Sequence, residues 1–132
     1  MKRFGLSAGE RIKSKKDFDQ IYNSGKVIFS DNRKIKAIYL IEKTHSAGNI
    51  KIAVAVSGKA GKAVWRNRLK RLLRTSYRLN KENLLNLCLL KKIVLKIIFS
   101  PYQMNEKNNR SIKLNEIMPG VKNVLFQIER SL

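Results

Sequence analysis

Basic side chains are concentrated between residues 59 and 74, and the chemistry that they offer is the binding of anions. Residues 43–81 contain eleven Lys and Arg residues and no carboxylate. Arg66, Lys70 and Arg74 recur every four residues, which places like charges on one side of a helix. Neighbours of this kind repel by about 0.2–0.5 kcal/mol per pair. The spacing therefore predicts a polyanionic partner that offsets the repulsion.

The remaining side of the same segment is apolar, and the segment is predicted to be a helix over residues 62–80. The side chains that share this side on a helical wheel are Trp65, Leu69, Leu72, Leu73 and Ser76. One side thus anchors the helix in a core while the other faces outward. Arginine predominates among the cations, and its planar guanidinium can donate to two phosphate oxygens at once.

The loop before this helix combines small residues with positive charge, in Gly58, Lys59, Gly61 and Lys62. Free N–H groups and the helix dipole favour an anion at such a position. A nucleotide-binding P-loop has four residues between its glycines and a Ser or Thr after the lysine. Here two residues separate the glycines and Ala63 follows the lysine, which argues against a nucleotide hydrolase.

Protein-based nuclease chemistry has little support. It needs paired carboxylates for metal ions or a pair of histidines. The single histidine, His45, lies in a polar loop, and Asp31 is isolated in a turn. Asp17 and Asp19, two residues apart on a predicted helix, point in different directions. We expect neither a catalytic side chain nor a metal ligand on the protein.

The whole chain has 132 residues and a formal net charge of +20, from 29 Lys and Arg against 9 Asp and Glu. Its length predicts one domain, 1–132, with residues 1–13 as a basic irregular arm. Such a charge indicates binding to nucleic acid or to an anionic membrane surface; the alternative explanation is a general surplus of lysine with no anionic partner.

The lone Cys88 is predicted to be a buried small apolar residue. Without an apparent signal peptide or membrane span, we expect a cytoplasmic, monomeric protein with no membrane partner.

Local patterns predict three helices and four strands in the order α-β-β-β-α-β-α. The helices are expected at 15–23, capped by Ser14, at 62–80, and at 114–130, started or kinked at Pro119-Gly120. The strands are expected at 26–29, 34–42, 50–56 and 92–99. This order indicates an α+β fold with helices against a small mixed sheet.

Residues 57–74 resemble the signature segment of the bacterial ribonuclease P protein component family. Arg66-Asn67-Arg68, followed by Lys70-Arg71 and Arg74, is similar to the family's RNR motif in near-complete form. Residues 11–18, then Tyr22 and Gly25-Lys26, resemble its first helix. The resemblance covers residues 6 to about 81.

The resemblance implies a four-stranded sheet with three helices and a left-handed β-α-β crossover, an exception to the usual rule. It also implies binding of the catalytic RNA of ribonuclease P and of the 5′ leader of precursor tRNA. The RNA would supply the active site and its Mg²⁺, and no cofactor would be bound by the protein alone. The residues expected to face the catalytic RNA are Lys59, Lys62, Arg66, Asn67, Arg68, Lys70, Arg71 and Arg74. Phe18, Tyr22 and Lys15 would line the leader cleft.

Three departures from the family pattern stand out. Gly58 and Ala60 make the loop smaller and less charged than usual, Trp65 is larger than usual, and the strand 92–99 lacks a flanking aspartate and arginine. Trp65 is predicted to be core, with stacking on RNA as the alternative. For Phe18, ordinary core packing is the alternative to stacking on bases.

Two other functions remain open from the residues. A structural RNA-binding protein of ribosomal type would share the charge pattern without any part in catalysis. A helix-turn-helix DNA-binding protein fits less well, because strands flank the basic helix and no short helix precedes it. The response to an unpaired leader distinguishes the first alternative from a ribonuclease P subunit.

Overall fold

The computed structural model describes residues 8–132. Its helices are α1 (Lys15–Ser24), α2 (Ala63–Asn80), α3 (Glu82–Lys91) and α4 (Leu114–Ser131). Its strands are β1 (Lys26–Phe29), β2 (Ile35–Lys43), β3 (Asn49–Val54) and β4 (Ile93–Pro101). Short 3₁₀ helices lie at Ala8–Glu10 and Gly58–Ala60.

The four strands form one mixed sheet in the order β1-β2-β4-β3. β2 is antiparallel to both β1 and β4, whereas β3 is parallel to β4. A parallel pair needs a crossover connection, which α2 and α3 supply here. The predicted α+β fold with a mixed four-stranded sheet is therefore confirmed, while the handedness of the crossover stays a prediction.

Helix α3 corrects the prediction of three helices, because the part of the chain that the structure describes has four. Leu84 and Cys88, one turn apart, are buried, whereas Leu90 is 79% exposed. Apolar residues on both sides of the segment hide the helical period from sequence reasoning. The helix ends at Lys91, and the capping residue Lys92 adopts a left-handed φ of 53° and donates its N–H to the Cys88 carbonyl. Burial of Cys88 is confirmed, and it raises the pKa of the thiol to about 11.

The main core lies between one face of the sheet and helices α2 and α4. Trp65, Leu69 and Leu73 are buried on the predicted side of α2. Tyr77, the next residue after Ser76 on this helix, is also buried, and its ring centroid lies 6.1 Å from that of Phe99. The sheet contributes Ile35, Ala37, Tyr39, Ile50, Ile52, Ile93, Leu95, Ile97 and Phe99. The apolar side of α2 is thus held down and its cationic side is turned outward.

Helix α1 covers part of the opposite face of the sheet. Its Ile21 is buried in a second cluster with Ile38 of β2 and Ile98 of β4. Ser14 caps the helix as predicted, and its Oγ accepts the Asp17 N–H at 3.0 Å. The cap and the apolar contacts together fix the position of the residue that follows Asp17, Phe18.

The N-terminal segment is more ordered than an irregular arm over 1–13. The 3₁₀ helix leads into Arg11, which bridges to Ile52 of β3. Ile12 donates its N–H to the Ile52 carbonyl at 3.0 Å and is buried. The docking of Ile12 accounts for this difference, and the rest of the predicted arm, residues 1–7, lies outside the described residues.

Helix α4 begins at Leu114, not at Pro119, which lies inside it. The N–H groups of Glu116 and Ile117 both donate to the Lys113 carbonyl and start the helix. Gly120 is buried against β2, and a Cβ built there would lie 2.7 Å from Ile35 Cγ1. The glycine therefore allows a close approach of α4 to the sheet.

Candidate nucleic-acid interface

The cationic side of α2 and its preceding loop form one surface. All eight side chains predicted to face the catalytic RNA reach the protein surface, and none belongs to the core clusters. Arg66, Lys70 and Arg74 are partly buried and the other five are exposed. Within residues 8–132 none of these eight side chains forms an ion pair with a carboxylate, whereas Lys81 and Lys96 do. Their positive charge is therefore available to a ligand.

Two arginines of this surface are oriented by backbone carbonyls. Arg66 donates from Nε to the Gly61 carbonyl at 3.0 Å. Arg68 donates from Nε to the Ile112 carbonyl, also at 3.0 Å. Each bond uses the inner nitrogen and leaves the two terminal nitrogens directed away from it. A guanidinium held in this way can donate its outer N–H groups to a phosphate.

A carboxylate that sequence reasoning missed lies at the start of α2. Glu106 Oε1 accepts the backbone N–H of Lys62 at 2.7 Å, and the Glu106 N–H donates to the Ala60 carbonyl at 2.7 Å. Trp65 is buried as predicted, and its Nε1–H donates to the Asn109 carbonyl at 2.8 Å. The loop 105–112 thus covers the beginning of α2. The N–H of Lys62, predicted to be open to an anion, is already used by Glu106.

Phe18 lies at the second predicted surface, the leader cleft. Its ring is partly buried against the second cluster and also lines a cavity of about 310 Å³. Ala53 of β3 lines the same cavity, and Lys13 and Arg74 add positive charge to it. Phe18 thus packs against the core and also lines the cavity, so core packing and stacking on a base are compatible roles for its ring.

The other two predicted cleft residues lie on α1 outside that cavity. Tyr22 is 51% exposed, one helical turn beyond Phe18, and Lys15 is exposed at the first position of the helix. The structure therefore brings Phe18 together with Arg74 of α2, and leaves Tyr22 and Lys15 exposed elsewhere on α1.

Arg74 connects the two predicted surfaces. Burial lowers the pKa of its guanidinium, and the nearby positive charge of Arg11 lowers it further. Both effects disfavour the charged form, yet arginine stays protonated in proteins. An anion entering the cavity would relieve this repulsion. Arg74 is predicted from the sequence to contact the catalytic RNA alone, whereas its position in the structure also allows it to contact a ligand beside Phe18.

A larger groove of about 720 Å³ lies at the end of the sheet that α1 leaves uncovered. Lys59 and Lys70, both predicted RNA contacts, line it together with Lys36 and Tyr102. Sequence reasoning missed Lys36 and Tyr102, since one lies in a strand interior and the other in a polar loop. The pairing of β2 with β4 brings these two residues to the groove, and the sequence alone does not reveal that pairing.

Acidic and metal-binding groups are sparse in the described residues. No three His, Cys, Asp or Glu side chains between residues 8 and 132 are placed to hold a metal ion together. His45 is exposed, as predicted. Within the same range, no helix has the length and apolar character needed to cross a membrane.

Comparison with known proteins identifies the family. A family model described as Ribonuclease P matches residues 6–117, most of the chain. The chain belongs to the Ribonuclease P family. The ribonuclease P protein component of Clostridium kluyveri is 40% identical over 72 residues, which cover 54% of this chain and 60% of that protein. The counterpart from Syntrophus aciditrophicus is 35% identical over 82 residues, covering 62% and 65%. The matched segments thus span somewhat less than two thirds of these relatives.

Solved structures of ribonuclease P proteins share the fold. The Staphylococcus aureus protein superposes with a TM-score of 0.66 at 24% identity, covering 90% of this chain and 94% of that one. The Thermotoga maritima protein gives a TM-score of 0.63 at 23% identity, covering 92% and 96%. Because nine tenths of the chain is covered, the likeness in fold extends past residue 81, the limit of the resemblance recognised from motifs.

Proposed function

We propose that this protein binds the catalytic RNA of ribonuclease P and assists it in removing the 5′ leader from precursor tRNA. The observation that carries the proposal is the surface formed by the cationic side of α2 and its preceding loop, whose seven predicted Lys and Arg side chains form no ion pair with a carboxylate in the described residues. Oriented guanidinium groups with open outer N–H groups are suited to the phosphates of a folded RNA. Membership of the Ribonuclease P family supports the same assignment.

In this proposal the hydrolytic reaction centre belongs to the RNA. The RNA supplies the active site and its Mg²⁺, and the protein binds no cofactor by itself. The protein screens the repulsion between two polyanions and positions the substrate, which are electrostatic and orientational contributions. Asn67, exposed between Arg66 and Arg68, can donate and accept hydrogen bonds at the same contact.

The leader is proposed to cross the sheet face beside α1. The cavity at Phe18 offers a ring face together with the cations Lys13 and Arg74. Unpaired bases stack on aromatic rings, and their phosphates follow positive charge, so this combination suits a single strand. Tyr22 and Lys15, both exposed on α1, add a second aromatic ring and a further positive charge for the same strand. Mature tRNA lacks these nucleotides, so the site would favour precursor over product.

A bacterial protein with this role works in the cytoplasm, where precursor tRNA is made, and we propose that it is monomeric before it meets the RNA. Size-exclusion chromatography with light scattering would test the monomer directly. The expected mass is that of one chain, 15.2 kDa.

The decisive experiment measures cleavage of a precursor tRNA by the cognate catalytic RNA at low Mg²⁺, with and without the protein. Cleavage at the mature 5′ end should appear only with the protein, because protein cations replace part of the screening by Mg²⁺. The control is a variant in which Arg66 and Arg68 are both alanine. Tight RNA binding without any gain in cleavage would support a structural protein of ribosomal type and refute the proposal.

A further inference from the structure

The open end of the sheet carries an aromatic pair that neither predicted surface includes. The strand register places Phe29, Lys36 and Ser100 side by side across β1, β2 and β4. Tyr102 follows β4, and its N–H donates to the Lys34 carbonyl at 2.7 Å. The rings of Phe29 and Tyr102 consequently meet with centroids 4.5 Å apart, tilted by 49°. Residues distant in the chain thus form one aromatic corner.

Two residues in uncommon backbone conformations flank this corner. Arg33 and Gln103 both adopt left-handed φ values, 61° and 54°, that non-glycine residues rarely take. The Arg33 guanidinium lies 5.6 Å from the centre of the Phe29 ring, at cation–π distance. The Arg33 contact with the Phe29 ring and the hydrogen bond from the Tyr102 N–H to the Lys34 carbonyl hold the two rings in place. Tyr102 lines the groove, and its ring packs against that of Phe29, which is not among the lining residues.

The charge around Tyr102 is of one sign. Lys36, Lys59 and Lys70 line the groove with it, and no Asp or Glu lines the groove among the residues that the structure describes. Its volume of about 720 Å³ accommodates a nucleotide. An aromatic face among lysines, without a carboxylate, matches a base with its flanking phosphates and not a cationic or purely apolar ligand.

We propose that this groove is a second stacking site, which binds an unpaired nucleotide of the precursor leader on the ring of Tyr102. Lys36, with Lys59 and Lys70 opposite, contacts the phosphates on either side of that base. The inference rests on the proposed function for the identity of the RNA, but the binding of a single strand stands without it. A duplex does not fit this role, because its bases are stacked inside the helix and do not expose a face.

The position of the groove favours the leader over a loop of the catalytic RNA. Ala53 lines the Phe18 cavity and Ala55 lines the groove, on the same side of one extended segment. Two residues of a strand advance about 6.6 Å. One RNA strand can therefore pass from the first site to the second without leaving the sheet face.

The first test uses the protein alone with short single-stranded RNAs that carry 2-aminopurine at single positions. Stacking on Tyr102 should quench the fluorescence of one position. Tyr102→Ala should abolish that quenching and weaken binding by about 5- to 150-fold, the range for loss of one stacked base. Tyr102→Phe keeps the ring and should behave as the parent. Quenching and affinity that do not change in Tyr102→Ala would overturn the proposal.

Phe126→Ala is the matched control. Phe126 is 53% exposed on α4 and has the Arg130 guanidinium 5.7 Å from its ring centre, so it repeats the aromatic and cationic pattern away from the groove. Its loss should leave RNA binding unchanged. An equal loss in Phe126→Ala and Tyr102→Ala would mean that any exposed ring suffices, and would refute a defined site. Far-UV circular dichroism confirms that each variant is folded.

The second test uses the protein assembled with the cognate catalytic RNA. The ratio of the affinities for precursor and for leaderless tRNA should fall in Tyr102→Ala, while the affinity for the catalytic RNA stays the same. A fall in affinity for the catalytic RNA with an unchanged ratio would show that the leader does not occupy the groove. If the parent protein does not promote cleavage at all, the proposed function fails, whereas the fluorescence test still decides whether the groove stacks a base.

Discussion

Asp17 and Lys96 connect helix α1 to β4, one of the two inner strands of the sheet. The Lys96 ammonium lies 3.2 Å from Asp17 Oδ1 and 3.0 Å from Glu42 Oε1. Burial lowers the pKa of Lys96, but hydrogen bonds to the two carboxylates outweigh it and the pKa is raised overall. The hydrogen bond from Lys96 lowers the pKa of Asp17. Because Phe18 follows Asp17, this ion pair also helps to set where that ring meets the sheet.

Asp17→Asn should destabilise the protein near neutral pH and matter less in acid. A carboxyl whose pKa is lowered on folding contributes stability above its unfolded value of 3.8, and this contribution is lost as the pH falls through the folded value. Thermal unfolding of parent and variant at several pH values measures the difference. It should be largest near neutrality and shrink below the unfolded pKa.

Asp19→Asn is the control for this experiment, because Asp19 is exposed on the same helix and makes no ion pair within residues 8–132. Its thermal midpoint should follow that of the parent at every pH. A constant gap between parent and Asp17→Asn down to strong acid would show that the ion pair does not stabilise the fold.

Arg68, Phe18 and Arg74 should separate the two RNA surfaces. Arg68→Ala should weaken binding to the catalytic RNA and reduce the log–log salt slope by about 0.7–0.9, the loss of one phosphate contact. Phe18→Ala should chiefly reduce the preference for leader-bearing substrate. Arg74→Ala should do both, since Arg74 lines the Phe18 cavity. Filter binding to each RNA over a range of salt concentrations measures these effects.

The assignment to two surfaces predicts that these patterns differ between the variants. Identical effects of Arg68→Ala and Phe18→Ala on both RNAs would contradict it. If Arg74→Ala weakens binding of the catalytic RNA and leaves the preference for leader-bearing substrate unchanged, Arg74 contacts the catalytic RNA alone.

Glu106→Gln should strengthen RNA binding. The amide oxygen can still accept the Lys62 N–H that the carboxylate now accepts at 2.7 Å, while one negative charge beside Lys59 and Lys62 disappears. Loss of a carboxylate from a helix N-terminus costs about 0.3–1 kcal/mol of stability. We expect a small fall in thermal midpoint together with tighter binding at low salt. Glu82→Gln, at the start of α3, is the control with the same charge change.

Gly120→Ala should destabilise the fold by about 1–3 kcal/mol, as expected for an overpacked core. The added Cβ would lie 2.7 Å from Ile35 Cγ1, so α4 or β2 must move. Urea denaturation gives the free energy of unfolding. Gly58→Ala is the control, because nothing lies within 4 Å of a Cβ at Gly58. Equal stability of the two variants would refute a close contact between α4 and β2.

The parts of the molecule that sequence reasoning predicted are those in which the determining interactions are local. The Ser14 cap uses a residue three positions away, and the two sides of α2 follow from helical spacing. The order of elements then gives the α+β class. Helix α3 was missed because its apolar residues do not repeat with a helical period, and because Lys92 takes the left-handed position that glycine usually marks.

The candidate site was predictable only where its residues are neighbours in the chain. The seven cations on α2 and its loop, with Asn67 among them, were found from spacing and from the resemblance. Tyr102 meets Phe29, and Glu106 reaches Lys62, through pairings of strands and loops far apart in sequence. No local pattern encodes such contacts, since they depend on the pairing of β4 with β2 and with β3.

The strand that joins β2 to β3 in the sheet is the last strand to be synthesised. β4 lies between β2 and β3, yet both of these precede it in the chain. On a translating ribosome, the hairpin of β1 and β2 and the basic helix α2 therefore emerge while β2 and β3 still lack their shared neighbour. A nascent chain that ends before Ile93 leaves those strand edges unpaired and exposed to aggregation. The growing protein can acquire its finished RNA-binding face only after the C-terminal third has left the exit tunnel.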